Sequence, residues 1–187
     1  MNLKKLVTAA VCTMLMAAVA FTAGCGGEKK SDKKVLKVGM ECAYAPYNWS
    51  QTKADGGAVK IAGSNEYAYG YDVMMAKKLA DSMGADLEIH KIEWDGLAPA
   101  VVSGKIDAAI AGMSITSKRK ETVDFTKPYY YATVVALVKK DSEQAKAQSV
   151  ADLKGSVATS QLNTIWYDQI DQVPDVKNCR LLIRYLV

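Results

Sequence analysis

In the sequence IDAAIAGMSITSKRKETVDFT, residues 106–126, an apolar run leads into a glycine and a row of hydroxyl side chains. Residues 106–111 are apolar apart from Asp107, which predicts a strand buried on both faces of a parallel sheet. Ligands of open α/β sheets bind beyond the carboxyl ends of the strands, and Arg119 offers a planar fork of donors that matches a carboxylate. The stretch therefore predicts a loop that grips a small carboxylate, the alternative being a polar loop before a solvated, lysine-rich helix.

Short apolar runs alternate with helical stretches on either side of this segment, which predicts an α/β fold around a parallel sheet. The predicted strands are residues 35–40, 87–92, 106–111, 132–138, 156–160 and 176–183. Helices are predicted at residues 97–103 and 165–172, and a capping box formed by Ser149 and Asp152 opens a short helix that ends at Gly155. Residues 41–69 are rich in glycine, asparagine, tyrosine and serine, so a long irregular loop with room for a hairpin is expected.

A further helix is predicted between Asp72, as its N-cap, and Gly84, as its end. Its apolar residues recur at helical spacing and so predict one face turned towards the sheet. That face comprises Val73, Ala76, Leu79, Ala80 and Met83. Just before it, Tyr67, Tyr69 and Tyr71 alternate as in a half-exposed strand and are assigned to packing rather than to a ligand.

Residues 1–24 indicate an export signal rather than part of the fold. Lys4 and Lys5 precede a run of apolar and small residues, as in a secretory signal peptide. The following FTAGC, residues 21–25, resembles a bacterial lipobox, which predicts that Cys25 carries lipid, including palmitate, and anchors the protein to the cell membrane. The alternative is an ordinary signal peptide with an incidental cysteine. Residues 25–34 are then the lipidated cysteine and a flexible, charged tether.

Charge and cysteine content exclude several classes of function. The 24 basic and 20 acidic residues become 22 and 20 once Lys4 and Lys5 leave with the signal, a balance too even to favour nucleic acid as a partner. An exported protein can form a disulfide between Cys42 and Cys179, but two cysteines make no framework. With a single histidine and no cysteine–histidine spacing, neither a structural zinc site nor a cofactor is expected.

Several motifs then follow one another in a recognisable order. They are GYDV at residues 70–73, WDGLAP at 94–99, KIDAA at 105–109, and MSITSKR at 113–119 followed by VDFTKPYY at 123–130. Together, behind a lipobox, they resemble the polar amino-acid class (family 3) of bacterial extracellular solute-binding proteins, which feed ABC importers. The resemblance implies a two-lobe, type II periplasmic-binding-protein-like α/β fold with the ligand between the lobes. Lobe 1 is then residues 35–131, a hinge strand 132–138, and an incomplete lobe 2 residues 139–187.

The resemblance also implies roles for individual residues of lobe 1. Arg119 would form a bidentate pair with the ligand α-carboxylate, and the Ser114 hydroxyl would bond to the ligand backbone. The Gly112 carbonyl would accept from the ligand ammonium. Ser114 has an alternative role as a cap at the end of the strand.

Further resemblance-based roles concern the walls and the far end of the pocket. Tyr44 and Trp94 would wall it, with core packing as the alternative. Glu41, after the first strand, would read a distal group of the ligand side chain, or else be a solvated carboxylate. In lobe 2, the backbone N–H of Thr164 would meet the carboxylate at a helix N-terminus. Asn163 stands just before it, where the family usually has glycine, and asparagine tolerates that left-handed geometry.

A last implication concerns length. The family pairs the ligand ammonium with an aspartate in the later part of lobe 2, and no counterpart precedes Val187. Residues 139–187 are also few for an autonomous core. The sequence is therefore interpreted as C-terminally truncated, through a fragment, a frameshift or a damaged gene. It is expected to fold poorly in lobe 2 and to bind amino acids weakly if at all.

The protein is expected to be the substrate-binding component of an amino-acid ABC importer and not an enzyme. It would act as a monomer that delivers its ligand to a membrane permease. A periplasmic-type dehydratase on the same scaffold is the main alternative, with Glu41 as its cleft acid or base. A sensor-receptor domain and a non-functional truncated relic are the others.

Overall fold

The computed structural model describes residues 33–178, and residues 34–178 lie in one compact unit. The predicted export signal, Cys25, most of the tether, Cys179 and the end of the last predicted strand lie outside the described residues. Within them, the strands are β1 (Val35–Met40), β2 (Ala43–Tyr44), β3 (Asn48–Gln51), β4 (Val59–Lys60), β5 (Tyr67–Tyr69), β6 (Asp86–Lys91), β7 (Ala108–Ala109), β8 (Val157–Ala158) and β9 (Lys177–Asn178). The helices are α1 (Tyr71–Met83), α2 (Leu97–Val102), α3 (Ser117–Lys120) and α4 (Ile165–Gln169), with 3₁₀ turns at Trp94–Gly96, Glu143–Lys146, Val150–Leu153 and Ile170–Gln172.

A parallel sheet of order β6-β1-β7 forms the core. Val38 on the central strand pairs with Ile89 on one side and Ala108 on the other, and Val38 and Ile89 are fully buried. The parallel sheet predicted from the alternating pattern is confirmed. The predicted third strand is shorter than expected, because only two residues of 106–111 pair, although Ile106 and Ala111 are buried at its ends.

Residues 41–69 correct the expectation of an irregular loop. They contain a four-stranded antiparallel sheet of order β2-β3-β5-β4, in which Trp49 pairs with Tyr69 and their rings meet edge to face with centroids 5.1 Å apart. The strands are two to four residues long, too short for an alternating pattern to stand out in the sequence. The sequence therefore indicated at most a hairpin in this region.

Helix α1 is present as predicted and ends at the left-handed Gly84, but its cap and its inward face need correction. The N-cap is Gly70, and Asp72 lies inside the first turn with its side chain fully buried. Val73, Ala76 and Ala80 pack inward. The other two residues of the predicted face, Leu79 and Met83, are 40% and 52% exposed, because the helix lays only a narrow stripe on the sheet.

The second half of the described chain is more open. The capping box of Ser149 and Asp152 is confirmed at the start of a 3₁₀ turn, and β8 and β9 form a parallel pair. The predicted strand at 132–138 is wrong as a secondary-structure assignment, because these residues pair with no strand in the described part of the chain. They are exposed throughout, Leu137 at 96%. Among residues 33–178, no helix is both long enough and apolar enough to cross a membrane.

Candidate functional site

A cleft of about 260 Å³ opens where the chain leaves β1 and β7 and faces the segment before α4. Parallel strands present their carboxyl ends along one edge, so the residues that follow these two strands are neighbours. The lining residues are Glu41, Ala43, Tyr44, Trp94, Ala111, Gly112, Thr159, Ser160, Gln161, Thr164 and Trp166. Five of the seven site residues predicted from the sequence are in this set, namely Glu41, Tyr44, Trp94, Gly112 and Thr164.

Ser114 lies in an adjoining cleft of about 290 Å³, which shares Tyr44, Gly112 and Trp166 with the first. Its backbone carbonyl accepts a hydrogen bond of 2.8 Å from Arg119 Nη1. The Tyr44 ring stacks on Tyr47 with centroids 5.0 Å apart. Tyr44 is thus a wall common to both clefts rather than a core aromatic, and it remains 38% exposed.

Arg119 lies in α3, and the N-cap of this helix is Thr116, whose hydroxyl accepts from the Arg119 backbone N–H at 3.1 Å. The guanidinium lies over the Trp94 ring, 5.3 Å from its centroid, and Nη2 donates to the Asn163 carbonyl at 3.1 Å. Partial burial lowers the pKa of Arg119 from its ordinary value, an effect opposed by Asp168. A guanidinium carries five N–H groups, so the bonds to Ser114 and Asn163 leave three for other acceptors. Arg119 is joined to the cleft through Trp94 and does not itself line it.

Glu41 places a carboxylate inside the cleft. Its Oε1 accepts a hydrogen bond of 2.9 Å from Gln161 Nε2. Burial is the main reason that the pKa of Glu41 is raised, and the negative charges of Glu93 and Asp95 add to it. The bonds from Gln161 and from the Trp94 backbone act in the opposite direction. A carboxylate that is poorly solvated and faces two like charges is stabilised by any cation that enters the cleft.

The segment 161–164 supplies the opposite wall. Thr164 is 3% exposed, and its hydroxyl accepts from the Tyr167 N–H at 3.2 Å, which makes it the N-cap of α4. The same hydroxyl donates to the Gln161 carbonyl at 2.7 Å. The hydroxyl is thus used within the turn, and the role suggested for the Thr164 backbone N–H stays a prediction. Asn163 has φ 60°, the left-handed conformation expected at this position.

A hydrogen-bonded chain that the sequence did not predict runs from Tyr129, which lines the adjoining cleft, to the buried Asp72 and Asn48. The Tyr129 hydroxyl donates to Asp72 Oδ1 at 2.8 Å and accepts from the Gly112 N–H at 3.0 Å. Asp72 Oδ2 accepts from Asn48 Nδ2 at 2.7 Å, and Asn48 Oδ1 accepts from the Cys42 N–H at 2.8 Å. Asp72 and Tyr129 both lie in motifs noted above, but neither was given a role in the site. These bonds fix Gly112, whose φ of 61° favours glycine.

Two other sequence expectations concern metal and disulfide chemistry. Within residues 33–178, no three histidine, cysteine, aspartate or glutamate side chains gather as a candidate metal site. Cys42 is buried with a free thiol, and its suggested partner, Cys179, lies outside the described residues.

Comparison with known proteins places this geometry in a family. The chain is 34% identical over 136 residues to the arginine-binding extracellular protein ArtP of Bacillus subtilis (strain 168), covering 73% of this chain and 47% of that protein. It is 32% identical over 176 residues to ABC transporter arginine-binding protein 1 of Escherichia coli (strain K12), covering 94% of this chain and 61% of that one. The chain thus spans about half the length of the curated relatives it matches.

Solved structures show the same likeness. The crystal structure of the ancestral amino acid-binding protein AncCDT-1, a precursor of cyclohexadienyl dehydratase, matches with a TM-score of 0.65 at 34% identity, over 78% of this chain and 60% of that one. The observed α/β fold is thus that of part of a periplasmic amino-acid-binding protein. The sequence profile of the bacterial extracellular solute-binding proteins, family 3, matches residues 36–175. The chain belongs to this family.

Proposed function

We propose that this chain is the substrate-binding component of an amino-acid ABC importer. In this proposal it works outside the cytoplasm as a monomer, is held at the membrane by lipid on Cys25, and delivers its ligand to a membrane permease. The family and the amino-acid-binding relatives support the class of ligand. The hydrogen-bonded contact between residues 35–131 and the segment 161–164 supports two lobes that enclose it.

The observation that carries the proposal is the pairing of two charges around one cleft. Glu41 lies in the cleft as a partly desolvated carboxylate, and Arg119 lies beside it, over Trp94, as a cation. A buried charge on a ligand needs an opposite charge or the desolvation cost exceeds the gain. An α-carboxylate suits Arg119, and a positive or amide-bearing side chain suits Glu41.

Among amino acids, arginine satisfies both requirements. Its guanidinium can form a two-pronged bond with the Glu41 carboxylate in place of the single bond from Gln161. Tyr44 and Trp94, which line the same cleft, offer aromatic faces to the ligand, and cations bind well to such faces. Two of the relatives described above are named for arginine, which supports the same choice.

The test is calorimetric titration of the full chain with L-arginine, L-lysine, L-glutamine and L-glutamate at pH 7. We expect L-arginine to bind, with the weak affinity anticipated from the sequence, and L-glutamate to bind least. Glu41→Gln should weaken L-arginine binding by about 10- to 100-fold, the range for losing a charge-assisted hydrogen bond. Glu143→Gln makes the same chemical change at an exposed residue outside the cleft and should leave binding unchanged. Absence of binding by any amino acid would overturn the proposal.

The pH dependence gives a second, independent reading. The pKa of Glu41 is raised above its ordinary value of 4.5, so the carboxylate takes up a proton earlier than a solvated one as the pH falls. Binding of L-arginine should therefore weaken as the pH falls through this raised pKa, while the ligand keeps its guanidinium charge. In Glu41→Gln the dependence should be lost.

A second candidate function is a dehydratase acting on a small acid. It is favoured by Glu41, because a carboxyl group with a raised pKa inside a cleft is suited to general acid–base work. The similar ancestral protein AncCDT-1 is an amino acid-binding protein and a precursor of cyclohexadienyl dehydratase, so a binder and an enzyme are related through it. Turnover of a prephenate-like acid by the full chain, lost in Glu41→Gln, would favour this candidate over the binder.

A further inference from the structure

The segment 161–164 is tied to the opposite wall of the cleft mainly through one residue, Asn163. Its carbonyl accepts from Trp94 Nε1 at 3.0 Å and from Arg119 Nη2 at 3.1 Å. Its side-chain Nδ2 donates to Asp95 Oδ1 at 3.0 Å. A further bond across the cleft joins Gln161 to Glu41. Asn163 thus makes three hydrogen bonds to the opposite wall, two through its backbone and one through its side chain.

The two kinds of contact made by Asn163 are chemically separable. The carbonyl bonds depend on the backbone of the turn, and any residue that adopts a φ near 60° can make them. Glycine does so most readily, and asparagine is one of the few other residues that does. The bond to Asp95 requires the amide side chain, so glycine cannot make it. Asparagine at this position therefore adds a contact across the cleft without changing the shape of the turn.

The bond from Asn163 to Asp95 also bears on the groups proposed to hold the ligand. Asp95 lies in the same 3₁₀ turn as Trp94, whose ring carries the Arg119 guanidinium. Asn163 directly precedes Thr164 on the opposite wall. Holding Asn163 against Asp95 thus fixes the distance between the two walls at the position where a ligand carboxylate would sit.

We propose that Asn163 is a latch residue, a positioning residue whose amide holds the segment 161–164 against Asp95 and so keeps the cleft closed around its ligand. The closing effect is a property of the chain alone, and its effect on affinity rests on the proposed amino-acid-binding function. Opening of the cleft costs the Asn163–Asp95 bond as well as the two bonds to the carbonyl.

The decisive test is an exchange of the two side-chain groups. Asn163→Asp keeps the size of the side chain and its tolerance of the left-handed conformation, but it sets two carboxylates against each other. Combining it with Asp95→Asn puts the amide on the other side of the same bond and restores the pair. A residue needed only for the shape of the turn would show no such rescue.

The readout is hydrogen–deuterium exchange of the full chain without ligand, followed in the peptides that contain residues 94–96 and 163–167. We expect Asn163→Asp to speed exchange in both peptides by about fivefold. A larger effect is not expected, because contacts between exposed charged groups contribute little free energy. The double variant should return to within about twofold of the original chain. Titration with L-arginine should show a parallel loss and recovery of affinity of about fivefold.

Asp175→Asn is the matched control. Asp175 also has a positive φ, 53°, and its carboxylate pairs with Lys154 at 3.3 Å, so the control exchanges the same two groups in the opposite direction at a left-handed residue outside the cleft. It should leave exchange at residues 94–96 unchanged. Unchanged exchange in Asn163→Asp, or no recovery in the double variant, would overturn the latch. If protection from exchange is lost and rescued in a chain that does not bind L-arginine, the latch is supported. Only the proposed ligand is then contradicted.

Discussion

Removal of the Tyr129 hydroxyl tests whether its hydrogen bond to the buried Asp72 stabilises the fold. Tyr129→Phe keeps the ring, so it leaves the packing around the ring in place. It deletes the 2.8 Å bond to Asp72 and the 3.0 Å bond from Gly112. Asp72, which is fully buried, would then keep the bond from Asn48 as its remaining side-chain partner in the described structure.

The magnitude follows from the burial of the two partners. A hydrogen bond to a charged group contributes about 1.5–3 kcal/mol, and a buried acceptor that loses one cannot recover it from water. Gly112 is exposed, so its N–H can be hydrated in the variant and adds little. We therefore expect the free energy of unfolding to fall by about 2 kcal/mol at pH 7, a shift of about 1 M in the urea midpoint.

The pH dependence has a definite sign. Burial raises the pKa of Asp72 above its ordinary value of 3.8, and the bonds from Tyr129 and Asn48 oppose that rise. A folded-state pKa above the unfolded value costs stability at higher pH, and this cost disappears as the pH falls from the raised pKa towards 3.8. The Tyr129 bond favours the ionised carboxylate, so the deficit of Tyr129→Phe should be full at pH 7 and should shrink as Asp72 takes up its proton.

The assay is urea unfolding of the original chain and of the Tyr129→Phe variant between pH 7 and pH 4. Tyr131→Phe serves as the control, because Tyr131 is 82% exposed and the same atom is removed. We expect no measurable change for it. Equal losses in the two variants, or a Tyr129→Phe deficit that stays constant with pH, would refute the view that this hydroxyl stabilises a buried carboxylate.

Two other predictions concern backbone and capping. Gly70→Ala should cost more than about 2 kcal/mol, because a Cβ there would clash with the Tyr47 carbonyl oxygen at a φ of 126°. Gly84→Ala, with open space and φ 61°, should cost about 1–2 kcal/mol, and equal losses in urea titrations would contradict the steric argument. Asp152→Asn should lower Tm at pH 7, because hydrogen bonds from Gln148 and Ser149 hold the pKa of Asp152 below 3.8. That contribution is present above 3.8 and is lost as the pH falls through the lowered pKa, so the difference in Tm should close there; a difference that persists in acid would count against it.

The parts of the fold that the sequence predicted well are those with long local patterns. The strand Val35–Met40 and the helix that ends at Gly84 each carry enough apolar residues at a fixed period to indicate an element. The small antiparallel sheet was missed, because strands of two to four residues give no such period. The segment 132–138 has strong β-propensity, but a strand also needs a partner, which local sequence cannot supply.

The candidate site, like the fold, was predicted from the sequence only in part. The family resemblance predicted that Glu41, Trp94 and Thr164 contribute to one pocket, and all three line the same cleft in the structure. The role of Asp72 could not be read locally, because a first-turn aspartate normally caps its own helix, and here its partner Tyr129 is 57 residues away. The contact between Asn163 and Asp95 spans 68 residues and likewise depends on the fold rather than on either local motif.

The rate at which the Cys42 thiol is alkylated can report how often the folded protein opens. It is 2% exposed, and burial raises its pKa to about 12, so the thiolate that reacts with alkylating reagents is scarce while the chain is folded. Its backbone N–H also ends the hydrogen-bonded chain that runs through Asn48 to Asp72. A pulse of iodoacetamide, read at the peptide that contains residue 42 by mass spectrometry, would therefore record how often this part of the molecule unfolds, without any dye or engineered label.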